Sequence, residues 1–139
     1  MPAQVKDVMT GDPTTVSREA SLTKAAALMR DGHMGDVLVA ESGRLTGVLT
    51  DRDIVIRAVA EGRDPASVTV GEVCSTDVVA LSPDDDSDHA VRLMRDRAVR
   101  RLPVVDNGRI VGIVSIGDMA VEKDERSALS DISAAPPNT

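Results

Sequence analysis

The sequence predicts an α/β (α+β) fold made of two pseudo-twofold-related copies of one unit. Each copy runs β-α-β-β-α behind a short helical turn. Three observations predict it. First, the chain matches itself at an offset of 65 positions. Residues 5–55 fall on 70–120 without a gap, and 14 of the 51 pairs are identical. Composition alone would give about a quarter of that count. Second, each copy holds one stretch of helical apolar spacing and then two short apolar runs joined by a turn signal. Third, each copy ends in Gly-x-x-[Thr/Ser]-x-x-Asp, which runs from a strand into a helix start. A repeat of this kind decides the fold. Half of the chain is marginal as an independent core. The copies are therefore expected to share a core, with the uncovered face of each small sheet buried on its twin.

The first copy is placed at residues 3–61. Val5, Val8 and Met9 mark a short helical turn that Gly11, Asp12 and Pro13 break. Thr14 to Val16 is a short strand. Ser21 is an N-cap, followed by Leu22, Ala25, Ala26 and Met29 as an amphipathic stripe that Asp31-Gly32 ends. Val37 to Ala40 and Leu45 to Thr50 are strands joined by Glu41 to Arg44. Asp51 to Ala60 is a helix expected to bury Ile54, Val55, Ala58 and Val59. Residues 62–69 form the linker.

The second copy is placed at 70–123. It repeats the plan with a lead turn at Val70 to Cys74 and a short strand at Val78 to Leu81. A helix follows with the stripe Ala90, Val91 and Met94. Leu102 to Val105 and Ile110 to Ile116 flank Asp106-Asn107-Gly108, a strong hairpin signal. Gly117 to Lys123 is the last helix. Asp84, Asp85 and Asp86 do not have the spacing of a calcium loop and suit a helix N-terminus. Residues 124–139 are expected to be disordered, with Leu129 and Ile132 as the positions suited to docking.

Composition excludes several function classes. The net charge is −7, which repels phosphate backbones, so nucleic acid is not expected as a partner. There is no Phe, Tyr or Trp, hence no platform for stacking bases. The single cysteine, Cys74, has no intrachain partner and reads as a small buried apolar residue. His33 and His89 lie at unlike places in the two copies, and no metal-ligand spacing surrounds them. No apolar stretch reaches the length of a membrane span, and no signal-peptide pattern opens the chain. A cytoplasmic protein without a membrane partner is expected. No nucleophile–base pair or Gly-rich phosphate loop is present, so the chain reads as no enzyme.

The junctions at Gly47 to Asp53 and Gly112 to Asp118 carry the chemistry. Thr50-x-x-Asp53 and Ser115-x-x-Asp118 are helix-capping patterns. They are also places where backbone N–H groups and a positive helix end meet a carboxylate and a hydroxyl, which suits an anionic ligand. Both readings stand on the residues alone.

The chain resembles tandem CBS-domain proteins, named after the cystathionine β-synthase domain, over about residues 3–122. The carriers are Val5-Lys6-Asp7-Val8-Met9, Arg101-Leu102-Pro103-Val104-Val105-Asp106 and the two junctions. It is most similar to stand-alone bacterial pairs. The resemblance implies a regulatory Bateman module, a homodimer, and clefts between the copies that take an adenosine-containing ligand such as AMP, ATP or S-adenosylmethionine. No cofactor is required, and any protein partner is unidentified. The resemblance assigns Asp53 with Thr50, and Asp118 with Ser115, to ribose and phosphate. It gives the Ser115–Asp118 cleft Asp12, Thr14, Met34 and Gly35 on the adenine side and Arg100 and Arg101 on the phosphate side. Asp36 stands where the second copy has Arg101, so the two clefts are expected to differ. The alternative is a ligand-free dimeric interaction module associated with stress. The dimer face is expected around Ile54, Val55, Met119 and Val121.

Overall fold

The computed structural model describes residues 3–123, with side-chain surroundings to residue 120. The order is α1 (Val5–Val8), β1 (Thr15–Val16), α2 (Leu22–Gly32), β2 (Asp36–Glu41), β3 (Arg44–Thr50) and α3 (Asp51–Ile54), which runs on as a π-helical turn, Val55–Val59. Then come α4 (Val70–Val73), α5 (Ser87–Arg97), β4 (Arg101–Asp106), β5 (Arg109–Ser115) and α6 (Ile116–Lys123). The tail from residue 124, including Leu129 and Ile132, lies outside the described residues, as does the side chain of Val121.

The chain forms two compact units, and they are not the two sequence copies. One unit is continuous, Thr14–Val78, and the other joins the segment ending at Pro13 to the segment beginning at Val79. Each lead turn therefore packs with the opposite copy. Val70 and Val73 of α4 are buried with Val16, Leu22, Val39 and Leu49. Val5 of α1 is buried with Leu81, Met94, Val104, Val114 and Met119. Most buried apolar residues fall into these two clusters, and Leu38 and Ile113 are buried outside both. The reason is local, because a borrowed lead turn closes each small aliphatic core.

In the continuous unit β1 lies parallel to β2, with Thr15 opposite Leu38, and β2 pairs antiparallel with β3. In the discontinuous unit β4 pairs antiparallel with β5. Both hairpins carry a register shift at matching places, Val39/Ala40 and Val104/Val105. Both turn on two residues with positive φ, Ser42-Gly43 and Asn107-Gly108, the twist that fits antiparallel strands.

Helix ends follow the sequence signals. Ser21 Oγ accepts from the Lys24 N–H at 3.1 Å, and Asp86 accepts from His89 N–H at 2.8 Å. Of the other two acids, Asp85 accepts from Ser82 N–H and Asp84 pairs with Lys6 at 3.3 Å. The left-handed residue that ends α2 is His33, one past the Gly32 expected to stop it, and Ala98 does the same for α5. Glu72 caps α4 by accepting from Thr69 N–H. That bond, with Arg63 beside it, holds the Glu72 carboxyl below its ordinary value.

Three expectations are corrected. Val78 to Leu81 is no strand but a single parallel bridge, Leu81 with Val104. Pro103 stands where the first copy has Leu38, and it has no N–H to extend the ladder. Second, Ile54 and Ala58 are buried as expected, but Val55 and Val59 are 52% and 55% exposed. The helix widens there, with Ala60 N–H donating to Val55 O and Arg63 N–H to Ala58 O, both i to i+5. The wider turn leaves fewer inward positions. Third, Met119 and Ile54 are buried inside their own units, so they are not part of an exposed apolar face. The exposed apolar residues of this helix are Val55, Ile56 and Val59.

Candidate functional site

Each junction is a strand end that turns into a helix, with a peptide segment laid across its glycine. In the continuous unit the exit of α4 pairs with β3. Val48 N–H donates to Ser75 O and Ser75 N–H to Val48 O, both at 2.9 Å. In the discontinuous unit the exit of α1 pairs with β5 through Thr10 and Ile113 in the same way, again at 2.9 Å. These crossings explain why both junctions begin with glycine. A Cβ on Gly47 would meet Ser75 O at 2.8 Å and Cys74 Sγ at 3.1 Å. On Gly112 it would meet Met9 Sδ at 2.6 Å and Thr10 O at 2.9 Å. Cys74 is accordingly buried, as its sequence reading requires, and the Arg18 guanidinium lies 3.7 Å from its sulfur.

Both capping boxes are formed. Asp53 N–H donates to Thr50 Oγ1 at 3.0 Å, and Thr50 N–H donates to Asp53 Oδ2 at 2.9 Å. Asp118 N–H donates to Ser115 Oγ at 3.1 Å, and Ser115 N–H donates to Asp118 Oδ2 at 2.9 Å. The cap uses one oxygen of each carboxylate and the acceptor side of each hydroxyl. A carboxylate has a second oxygen, and a hydroxyl retains its proton. Capping and ligand binding therefore do not compete for the same atoms. The four side chains are half-buried, which keeps them in reach of a solute.

The other sequence-derived residues divide by unit. Gly35 O accepts from Asp51 N–H at 2.9 Å, so Gly35 sits directly at the Thr50–Asp53 junction. Met34 precedes it, its N–H bonded to Met29 O, and Thr14 belongs to the same unit. Arg100 is the counterpart at the other junction, where its carbonyl accepts from Ile116 N–H at 2.8 Å. Arg101 lies opposite Ser115 in the β4–β5 register, and Asp36 lies opposite Thr50 in the β2–β3 register. Asp12 is exposed with a left-handed backbone, in the unit of Ser115 and Asp118. Thr14, Met34 and Gly35 are in the unit of Thr50 and Asp53.

Sequence reading missed Arg57. Its Nε lies 4.0 Å from Asp53 Oδ1, and its Nη1 donates to Val73 O at 3.0 Å. The i,i+4 acid–base spacing was the available signal. Its counterpart in the second copy is Glu122. Among the described residues no group of three His, Cys, Asp or Glu is placed to hold a metal ion. No described helix is long and apolar enough to cross a membrane.

Comparison with known proteins places this geometry. The family model of the CBS domain matches residues 5–59 and 70–123. The CBS domain-containing protein YhcV of Bacillus subtilis is 43% identical over 135 residues, covering 94% of this chain and 96% of its own. The crystal structure of Hypoxic Response Protein I with two coordinated zinc ions has a TM-score of 0.77 and 35% identity, covering 85% of this chain and 97% of that one. The CBS domain pair of protein MJ0100, in complex with 5-methylthioadenosine and S-adenosyl-L-methionine, has a TM-score of 0.78 and 26% identity. It covers 91% of this chain and all of that one (100%). With both repeats matched by the family model, the chain belongs to the CBS-domain family, as a pair of CBS domains.

Proposed function

We propose that the chain is a non-enzymatic sensor that binds an adenosine-containing ligand at its Gly-x-x-[Thr/Ser]-x-x-Asp junctions. The ligand belongs to the AMP, ATP or S-adenosylmethionine class, and its binding alters the behaviour of a protein partner. The observation that carries this reading is the spare chemistry of the two capping boxes. Each leaves a second carboxylate oxygen (at Asp53 the one that Arg57 faces at 4.0 Å) and a hydroxyl proton beside a helix start, able to accept from a ribose hydroxyl and donate to a phosphate. Support comes also from the MJ0100 pair, which was solved with two adenosine compounds.

A thermal-shift panel of adenine nucleotides tests it. A ligand at 100 times its dissociation constant adds about 2.7 kcal/mol of stability. Asn keeps an oxygen that can accept from the Thr50 or Ser115 N–H, so Asp53→Asn and Asp118→Asn keep the capping box and cost only the lost negative charge at a helix start, about 0.3–1 kcal/mol. At least one of them loses the nucleotide-dependent shift. Equal shifts in both variants and in the wild type remove the proposal.

A second reading, a ligand-free dimeric module tied to stress, draws on Val55, Ile56 and Val59. They are 48–55% exposed on one helical segment. Contiguous exposed apolar side chains mark interaction surfaces. The name of Hypoxic Response Protein I belongs to that protein and points the same way. Either reading takes a homodimer through this segment. Sedimentation at micromolar concentration is expected to give twice the 14.6 kDa chain mass, and Ile56→Asp to give the single-chain mass. A wild-type monomer contradicts the dimer and leaves the ligand question to the nucleotide panel.

A further inference from the structure

The two lead turns are docked by the same backbone bonds and by different side chains. At α1, Val5 N–H donates to Asp85 O at 2.8 Å, Lys6 N–H to Pro83 O at 3.0 Å, and Ser87 N–H to Ala3 O at 2.8 Å. At α4 the matching bonds run from Val70 N–H to Ala20 O, Gly71 N–H to Arg18 O and Leu22 N–H to Val68 O, at 2.8–3.0 Å. Three arginines also grip α4. Arg18 Nη2 donates to Gly71 O at 3.3 Å, Arg57 Nη1 to Val73 O at 3.0 Å, and Arg63 Nη2 to Glu72 Oε1 at 2.6 Å. The positions that match Arg18 and Arg57 carry Pro83 and Glu122, which have no side-chain N–H to give a carbonyl. The buried apolar pair Leu22 and Val68 is matched by Ser87 and Ala3. These holds on α4 are therefore missing at α1.

The hinge behind α1 is strained. Thr10 is bonded to Ile113, and Thr15 stands opposite Leu38, which leaves Gly11 to Thr14 as the link. Asp12 has a left-handed backbone, φ 49°, directly before Pro13. A proline pushes the residue before it towards extended backbone. The twin residue Asp77 precedes Val78 and takes no positive φ. Gly11 and Asp12 are exposed, and a Cβ on Gly11 would meet nothing within 4 Å. Straightening the hinge relieves Asp12 and carries α1 out of its groove. Val5 fills that groove at 0% exposure, clustered with Leu81, Met94, Val104, Val114 and Met119. The segment that fits it side chain for side chain is the α1 of another copy. Exchange of identical elements keeps every docking bond and changes only the hinge.

We propose that residues 3–10 are an exchangeable strap, and that two copies of this chain each seat α1 in the other's discontinuous unit. Each copy then completes the core of its partner. This pairing uses none of Val55, Ile56 and Val59 and depends on no ligand. It forms slowly, because α1 must first leave its own groove, and it needs concentrated chains.

Isotopically light and heavy chains test this, both carrying Ile56→Asp to remove the other dimer contact. They are incubated together at millimolar concentration, diluted to micromolar, and separated by size. A dimer that survives dilution is expected beside the monomer. A carbodiimide then joins Lys6 to Asp84, whose charged groups lie 3.3 Å apart, and mass spectrometry reads the joined peptides. In the dimer, joined peptides with one light and one heavy half are expected. In the monomer the two halves match. A short glycine-serine insert after Gly11 lowers the dimer fraction about tenfold, the effect of relieving one strained residue. Deleting Gly11 and Asp12 makes the dimer the main species, because a shorter link resists closing on its own unit. No dimer at any hinge length, a dimer whose joined peptides never mix isotopes, or a dimer fraction blind to hinge length overturns the proposal. If the shortened chain does not fold, the natural and lengthened hinges decide between the same outcomes.

Discussion

Leu22→Ser lowers stability by about 3–8 kcal/mol, although serine is the residue that the matching position already carries in the second copy. Leu22 and Ser87 are twins at the offset of 65, each the first residue of its helix, and both are 0% exposed. Leu22 packs with Val16, Val39, Leu49, Val68 and Val70 in an aliphatic cluster that has no aromatic residue to spread into the gap. Removing a buried leucine side chain costs about 2–5 kcal/mol through lost transfer and a cavity. A buried hydroxyl without a partner adds about 1–3 kcal/mol. The second copy already bears that last cost, since Ser87 Oγ is buried and has no hydrogen-bond partner among the described residues. Ser87→Ala therefore raises stability, by about 1 kcal/mol. Urea unfolding of the two variants beside the wild type checks both signs. A neutral Leu22→Ser contradicts the packing described for the continuous unit.

Gly47→Ala costs about 2–3 kcal/mol and frees Cys74. The new Cβ would lie 2.8 Å from a backbone carbonyl, that of Ser75, which cannot swing aside as a flexible side-chain end can. Overpacking of this kind costs about 1–3 kcal/mol. The strain falls on the paired bonds between Val48 and Ser75 that hold the exit of α4. Cys74 lies in that exit, buried, and is the only thiol in the chain. Its reaction with a thiol reagent is expected to be slow in the wild type and markedly faster in Gly47→Ala. An unchanged rate together with unchanged stability contradicts the close crossing. Gly112→Ala is the milder counterpart. Its shortest contact is to the sulfur of Met9, which can move, although Thr10 O stands at 2.9 Å.

The repeat makes most of this fold legible in the sequence. Periodicity located α2, α5 and both hairpins, because local spacing and turn residues determine such elements. The Asn107-Gly108 turn and the Ser21 cap are local chemistry of that sort. Two features were not local. The exchange of lead turns depends on which core Val5 and Val70 close, and nothing in their own spacing says it. The widening of the helix at Val55 turns four expected core residues into two buried and two exposed ones, since a change of helical period moves every position after it. The repetition of glycine at 47 and 112 did signal a constraint. Only the geometry showed it to be a peptide crossing overhead.

At the junctions, spacing alone left capping and ligand binding as rivals. The bonds formed by Thr50 with Asp53 and by Ser115 with Asp118 make them compatible, because one oxygen of each carboxylate caps and the other does not. The charge difference was legible as Asp36 against Arg101. The strand register adds that each lies directly opposite its junction hydroxyl. Arg57, by contrast, went unnoticed beside the more prominent Asp51-Arg52-Asp53 run.

A sensor of the proposed kind requires that an adenosine compound meet the junctions. Amide chemical-shift mapping of the uniformly labelled chain during titration with AMP asks this residue by residue. The expected result is saturable shifts centred on one or both junctions, Thr50 to Asp53 and Ser115 to Asp118. Saturable shifts centred away from both junctions, or no shift at millimolar AMP, would contradict it.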